Sequence, residues 1–167
     1  MKQYLKALIL KQNFDESISL KSSWTIFIIN LVLLQSFLIL QFGIDNLNLE
    51  MLFFNLGFTF QMVIKFIVPA YVLWVIINKI KPNAAPFAHT LFGVCLFQTP
   101  FLIRRAFLAF NIEVPYLWLG LLALGSILFC YEIHHRYKLT FFKSLAILIL
   151  VATATLVVFT PLLGFDI

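Results

Sequence analysis

Long apolar stretches alternate with short polar intervals along most of this 167-residue chain. At about 1.5 Å of rise per residue, each stretch is long enough for a helix to cross the roughly 30 Å of hydrocarbon in a bilayer. Lipid offers no hydrogen-bond partner to free backbone groups, so the pattern predicts helices joined by short turns. The five predicted spans are residues 24–43, 52–77, 86–103, 114–131 and 144–165. We therefore expect an all-α, polytopic membrane bundle with five transmembrane helices.

The polar stretch before the first span, residues 1–23, is predicted to be a cytoplasmic tail, and residues 24–167 a single membrane domain. Apolar residues recur at helical spacing in the first part of this tail, with lysines on the flanking positions. A helix of this kind lies in the membrane interface with its cations toward the headgroups. The apolar positions are Met1, Tyr4, Leu5, Leu8 and Ile9, and the lysines are Lys2, Lys6 and Lys11. The tail is thus predicted to contain a short interfacial helix.

Composition excludes a water-soluble domain, because only 11% of the residues are charged, against about a quarter in soluble proteins. Lys and Arg exceed Asp and Glu by 12 to 7, but the excess is confined to short intervals and indicates orientation, not a nucleic-acid partner. With the N-terminus in the cytoplasm, nine cations lie inside and only Arg104 and Arg105 outside. If the third stretch is re-entrant and does not cross, the excess of Lys and Arg still lies on the cytoplasmic side. The number of spans is therefore decided by segment length, which favours five. The C-terminus is then predicted to lie outside.

Lys65 interrupts the second apolar stretch, where a charged side chain costs about 3 kcal/mol and marks a candidate site. Gln61 lies one helical turn before Lys65, and Pro69, one turn after it, frees the Lys65 carbonyl. No acidic residue occurs at this depth. The amine is therefore neutral, or is paired by another subunit or an anionic lipid, or snorkels toward one surface. The residues of this candidate intramembrane polar site are Gln61, Lys65, Gln98, Asn30 and Gln35.

A second polar group is predicted to form a cytoplasmic turn before the last helix. Its members are Glu132, His134, His135, Arg136 and Lys143. Glu132 and His135 share a helix face and suggest a metal site, but carboxylate bundle sites need more ligands than this chain supplies. We instead expect these residues to form the solvent-exposed cytoplasmic end of the fourth helix. Glu132 should pair there with Arg136 at four-residue spacing. No metal and no cofactor are predicted, and Thr140 is predicted to cap the last helix.

The turn between the third and fourth spans carries a smaller charged group. Arg104, Arg105 and Glu113 are predicted to cap this outer turn as a headgroup-contact or salt-bridge cluster.

The segment Leu139-Thr140-Phe141-Phe142-Lys143-Ser144, after a charged turn with histidines, resembles the Leu-Ser/Thr-x-x-Lys-small segment that opens the fifth helix of the Yip family of Rab-interacting membrane proteins. Residues 84–101 are similar to the polar start, Phe and later Pro of that family's third helix. The resemblance, to the short prokaryotic branch, implies a non-catalytic bundle acting in membrane organisation or complex assembly in a bacterial cytoplasmic membrane. It does not extend to GTPase binding, because the acidic-Leu-Tyr-Gly-Pro motif of eukaryotic members is missing.

These observations predict a non-enzymatic membrane protein that binds membrane lipids, other membrane proteins or further copies of itself. One alternative is a small transporter or channel with a polar path at Gln61, Lys65 and Gln98, although five unequal spans show no clear internal repeat. Another is a metal-dependent membrane enzyme that uses Glu132, His134 and His135.

Overall fold

The computed structural model of the chain describes residues 20–42, 49–82 and 86–163. Within these ranges the chain forms α-helices and no strands, so the all-helical fold class is confirmed. The predicted interfacial helix of the tail lies outside the described residues. The helices are α1 (Leu20–Phe42), α2 (Leu49–Ile80), α3 (Phe87–Ala109), α4 (Leu117–Tyr137) and α5 (Phe141–Leu163).

The helices are apolar over lengths that match a bilayer. Four segments are long and apolar enough to cross a membrane: Lys21–Gln41, Leu56–Ile80, Phe87–Ala109 and Leu117–Tyr137. In α5, the stretch Phe141–Val157 is also apolar. Large hydrophobic side chains also cover the outside of the bundle, such as Ile28, Phe60 and Leu150, each more than half exposed. An apolar exterior of this kind suits a lipid environment better than water.

Helix α3 lies at the centre of the bundle. It packs against α1, α2 and α4, and α5 packs on α2 and α4. Fully buried aromatic and aliphatic side chains fill the space between these helices: Phe66, Leu73, Phe92, Leu96 and Phe129. At one end of the bundle the Ser23 hydroxyl donates to the Ala88 carbonyl at 2.7 Å, which joins α1 to the first turn of α3 by a buried hydrogen bond.

Helices α3 and α4 each extend six residues beyond their predicted ends, against three for α2, and this changes the surroundings of several charged residues. Helix α3 continues six residues past the predicted end, so Arg104 and Arg105 lie within it, and the predicted outer-turn position is wrong. Helix α4 continues through Glu132 to Tyr137, because Phe129, Ile133 and Tyr137 prolong one buried helix face.

The turn before α5 is therefore short. Helix α4 ends where Lys138 adopts a left-handed backbone conformation, with φ of 51°. Thr140 precedes α5, and its hydroxyl accepts the Lys143 backbone N–H at 3.4 Å, which confirms the predicted cap.

Candidate functional site

A cavity of about 200 Å³ lies between α1, α2 and α3, and we call it the Lys65 cavity. Its polar lining comes from one lysine, one glutamine and two arginines, and the remaining lining is apolar. The polar lining residues are Lys65, Gln98, Arg104 and Arg105, and the apolar ones are Leu34, Met62, Phe66 and Phe101. The structure thus brings two of the predicted site residues together with two arginines that the sequence placed elsewhere.

Antiparallel packing accounts for this meeting of side chains. Helices α2 and α3 are joined by the short segment 81–86. Residues that are equally far from this segment along the two helices therefore lie at the same depth in the bundle. Lys65 lies 15 residues before the end of α2, about 22 Å along the axis, and Arg105 lies 18 residues after the start of α3, about 27 Å. Gln98 and Arg105 are seven residues apart and share one face of α3.

The cavity extends from the middle of the bundle toward one end, because Gln98 is the central residue of α3 and Arg105 lies two turns further on. Helix α3 is about 35 Å long, and Arg105 is four residues, about 6 Å, from its last residue, Ala109. Lys65 is the midpoint of α2, but α2 is about 48 Å long and is therefore longer than its neighbour. Counted from the shared end, Lys65 lies about 6 Å from the level of Gln98 on the side of Ala109, and its mid-membrane placement stays a prediction.

The charged side chains that line the cavity are all positive. Lys65 and Arg105 are half-buried and act on each other as like charges. Across the described part of the chain, neither Lys65, Arg104 nor Arg105 forms an ion pair, and no carboxylate lines the cavity. The Arg105 guanidinium lies 5.5 Å from the centre of the Phe58 ring, a weak cation–π contact. An anion in this cavity would offset the repulsion among the three cations.

Two other predicted members of the polar site connect helices instead of lining the cavity. The Asn30 amide donates to the Ile26 carbonyl at 2.9 Å, and its oxygen accepts from the Thr99 hydroxyl at 3.5 Å. The Gln35 side-chain oxygen accepts from the Thr59 hydroxyl at 3.0 Å. These bonds join α1 to α3 and α1 to α2. Such hydrogen bonds hold membrane helices in register.

Gln61, the remaining member, is half-buried and does not line the Lys65 cavity. The four-residue spacing from Lys65 places the two side chains on one helix face, but not in one cavity.

The predicted outer-turn cluster also separates. Arg104 and Glu113 line a second cavity, of about 420 Å³, next to the loop between α3 and α4, but no ion pair joins them in the ranges that the structure describes. Arg105 does not line this second cavity. In the sequence, the seven-residue spacing between Gln98 and Arg105 indicated that Arg105 lies on the same helix face as Gln98.

The predicted cytoplasmic turn is largely the last two turns of α4. The expected Glu132–Arg136 ion pair is confirmed. The expected wet environment is wrong for Glu132, which is 1% exposed because α3 packs over it at Gly93. A Cβ on Gly93 would lie only 3.9 Å from the Glu132 Cγ atom. Lys143 alone of this set lies in α5, where it is exposed.

The rings of His134 and His135 lie edge to face with 4.9 Å between centroids, and each ring also has a further partner. The ring Nδ1 of His134 bonds to the Leu139 carbonyl, and the His135 ring packs against the Tyr131 ring at 4.2 Å between centroids. No group of three or more His, Cys, Asp or Glu side chains suited to a metal occurs in residues 20–42, 49–82 and 86–163. The three residues proposed for a metal enzyme, Glu132, His134 and His135, therefore do not converge.

No family model matches the chain, and no curated protein or solved structure is significantly similar to it. The Yip-family resemblance therefore stays a prediction that rests on the residues quoted for it.

Proposed function

We propose that the protein is a non-enzymatic, multi-pass membrane protein that binds lipids or other membrane proteins, as the Yip-type resemblance implies. The supporting observation is the Lys65 cavity, which gathers Lys65, Arg104 and Arg105 against apolar walls without a described carboxylate. Charges of one sign in apolar surroundings are costly unless a partner neutralises them. A membrane component that carries negative charge would supply that partner.

The proposed setting is a bacterial cytoplasmic membrane, crossed by all five helices, with the N-terminus in the cytoplasm. The segments 81–86 and 138–140 then lie on the cytoplasmic side. The cations near these segments support this orientation, because cytoplasmic loops carry the excess of Lys and Arg. They are Lys79, Lys81, Arg136, Lys138 and Lys143.

Cysteine labelling tests this orientation. Both native cysteines, Cys95 and Cys130, are buried and should give little background. We expect a membrane-impermeant maleimide to label Glu113→Cys in intact cells and Lys143→Cys only after permeabilisation, because both positions are exposed at opposite ends of the bundle. Labelling of Lys143→Cys in intact cells would contradict the proposed orientation.

The structure gives less support to the transporter alternative with a polar path at Gln61, Lys65 and Gln98. Between the Lys65 cavity and the segment 81–86, the buried side chains of α2 and α3 are apolar apart from Thr90. Phe66 and Leu73 come from α2, and Phe92 and Leu96 from α3. A continuous polar path along the bundle would have to interrupt this layer. The cavity is better suited to binding than to conduction.

The binding proposal is tested by extracting the protein from its own membrane into polymer-bounded discs, without detergent. We expect the wild-type protein to retain a defined set of lipids or membrane proteins, identified by mass spectrometry. An unrelated bundle of similar size, extracted in the same way, is the control. Recovery of a monomer surrounded by lipid of bulk composition, with no protein companion, would refute the proposed function.

A further inference from the structure

The chemistry of the Lys65 cavity identifies the kind of ligand more closely, given the binding function proposed above. Four side chains that carry hydrogen-bond donors line this one space: Lys65 with its ammonium, Arg104 and Arg105 with guanidinium groups, and Gln98 with its amide. Guanidinium groups match the paired oxygens of a phosphate, and ammonium groups add charge without demanding a fixed geometry. Several donors around one space suit an anion with several oxygens.

The depth of the cavity restricts the source of that anion. Arg105 lies about 6 Å from the end of α3, and the exposed Arg104 lies between the Lys65 cavity and the outer loop. Lipid phosphates occupy the zone just beyond the hydrocarbon, and long cationic side chains reach that zone from positions within a helix. A headgroup can therefore approach from the α3–α4 end.

The walls of the cavity suit the remainder of a lipid. Leu34, Met62, Phe66 and Phe101 supply aliphatic and aromatic surface beside the cations. The half-exposed ring of Phe58, whose centre lies 5.5 Å from the Arg105 guanidinium, adds apolar surface on α2. A soluble anion would leave this surface without a ligand, whereas an acyl chain would cover it.

We propose that the Lys65 cavity binds the phosphate group of an anionic membrane lipid, in the leaflet next to the α3–α4 loop. Lys65 and Arg105 hold the phosphate charge, Arg104 contacts the headgroup at the entrance, and Gln98 lines the deeper end of the cavity. The lipid is thus the counter-ion that the described part of the chain does not supply to Lys65.

The experiment measures lipid retention by native mass spectrometry on the full-length protein. Phosphatidylglycerol and phosphatidylcholine with identical acyl chains are titrated separately into the protein in neutral detergent. We expect wild type to retain phosphatidylglycerol preferentially. Each of Lys65→Met and Arg105→Met should lower that retention about fivefold, and the double variant about thirtyfold. Lys79→Met is the matched control, because it removes an exposed lysine from the same helix, about 21 Å away.

Two further measurements distinguish lost binding from lost folding, and a lipid from soluble phosphate. A Lys65→Arg/Arg105→Lys variant keeps both charges and should keep the preference for phosphatidylglycerol, which separates lost binding from lost folding. Inorganic phosphate is titrated into the protein in phosphatidylcholine discs by calorimetry. We expect no binding at concentrations where phosphatidylglycerol saturates, because phosphate lacks acyl chains.

Equal retention of the two lipids by wild type would overturn the inference, as would a double variant that retains phosphatidylglycerol like Lys79→Met. Binding of inorganic phosphate as tightly as phosphatidylglycerol would overturn the lipid assignment and indicate a soluble anion. A protein companion recovered in polymer-bounded discs, together with no anionic-lipid preference, would refute this inference and leave the proposed binding function intact.

Discussion

Replacing Arg136 with methionine is expected to lower the free energy of unfolding by about 3 to 5 kcal/mol, because it leaves the Glu132 carboxylate buried without its cation. Glu132 is 1% exposed, and the ion pair with Arg136 lies within the last two turns of α4. The substitution also removes the guanidinium that lies 5.8 Å from the centre of the Phe92 ring on α3. Both losses weaken the contact between the two helices.

The measurement is reversible unfolding in mixed micelles, followed by tryptophan fluorescence. The double variant Glu132→Leu/Arg136→Met should recover most of the loss, since a buried ion pair replaced by apolar groups of similar volume is often neutral. Lys143→Met removes an exposed cation from the same end of the bundle and should change stability by less than about 0.5 kcal/mol. If Arg136→Met and Lys143→Met behave alike, the ion pair does not stabilise the fold.

Replacing Gly125 with alanine is expected to destabilise the bundle by about 2 to 3 kcal/mol, because the backbone of α3 packs directly against α4 there. A Cβ on Gly125 would lie 2.5 Å from the Phe97 carbonyl oxygen and 3.3 Å from a carbon of the Phe97 ring. The ring can turn aside, but the carbonyl belongs to the backbone of α3. The two helices therefore have to separate to admit one methyl group.

Gly120→Ala is the matched control on the same helix, since nothing lies within 4 Å of a Cβ at that position. We expect this variant to be neutral or up to about 1 kcal/mol more stable, because alanine has the higher helix propensity. The same micelle unfolding assay gives both values. A Gly125→Ala variant as stable as Gly120→Ala would show that the helices are less tightly packed than the structure indicates.

The sequence predicted the helices well and their ends less well. Apolar runs of span length mark each helix, because a helix satisfies its own backbone whatever surrounds it. The ends of α3 and α4 were missed because charged residues were taken as boundaries. In both helices, residues beyond the charges continue to pack, as Ala109 and Tyr137 do. A long cationic side chain within a helix does not end it.

The candidate site could be predicted only in part, for a related reason. Depth can be counted from the turn, and Lys65 and Gln98, which that count places within about 6 Å of each other in depth, both line one cavity. The rotation of each helix about its axis cannot be counted, because it depends on packing against several neighbours at once. That rotation decides that Asn30 faces Thr99, that Gln35 faces Thr59, and that Gln61 stays outside the cavity.

The unequal lengths of α2 and α3 have a consequence for the surrounding bilayer. At about 48 Å against about 35 Å, α2 exceeds its neighbour by about 13 Å. Most of this excess lies in the turns before Leu56, because the apolar span of α2, Leu56–Ile80, is about 37 Å long and nearly matches α3. In the proposed setting these turns extend past the end of α3 toward the headgroups. The exposed rings of Phe53 and Phe54 then meet the lipid interface and not a neighbouring helix.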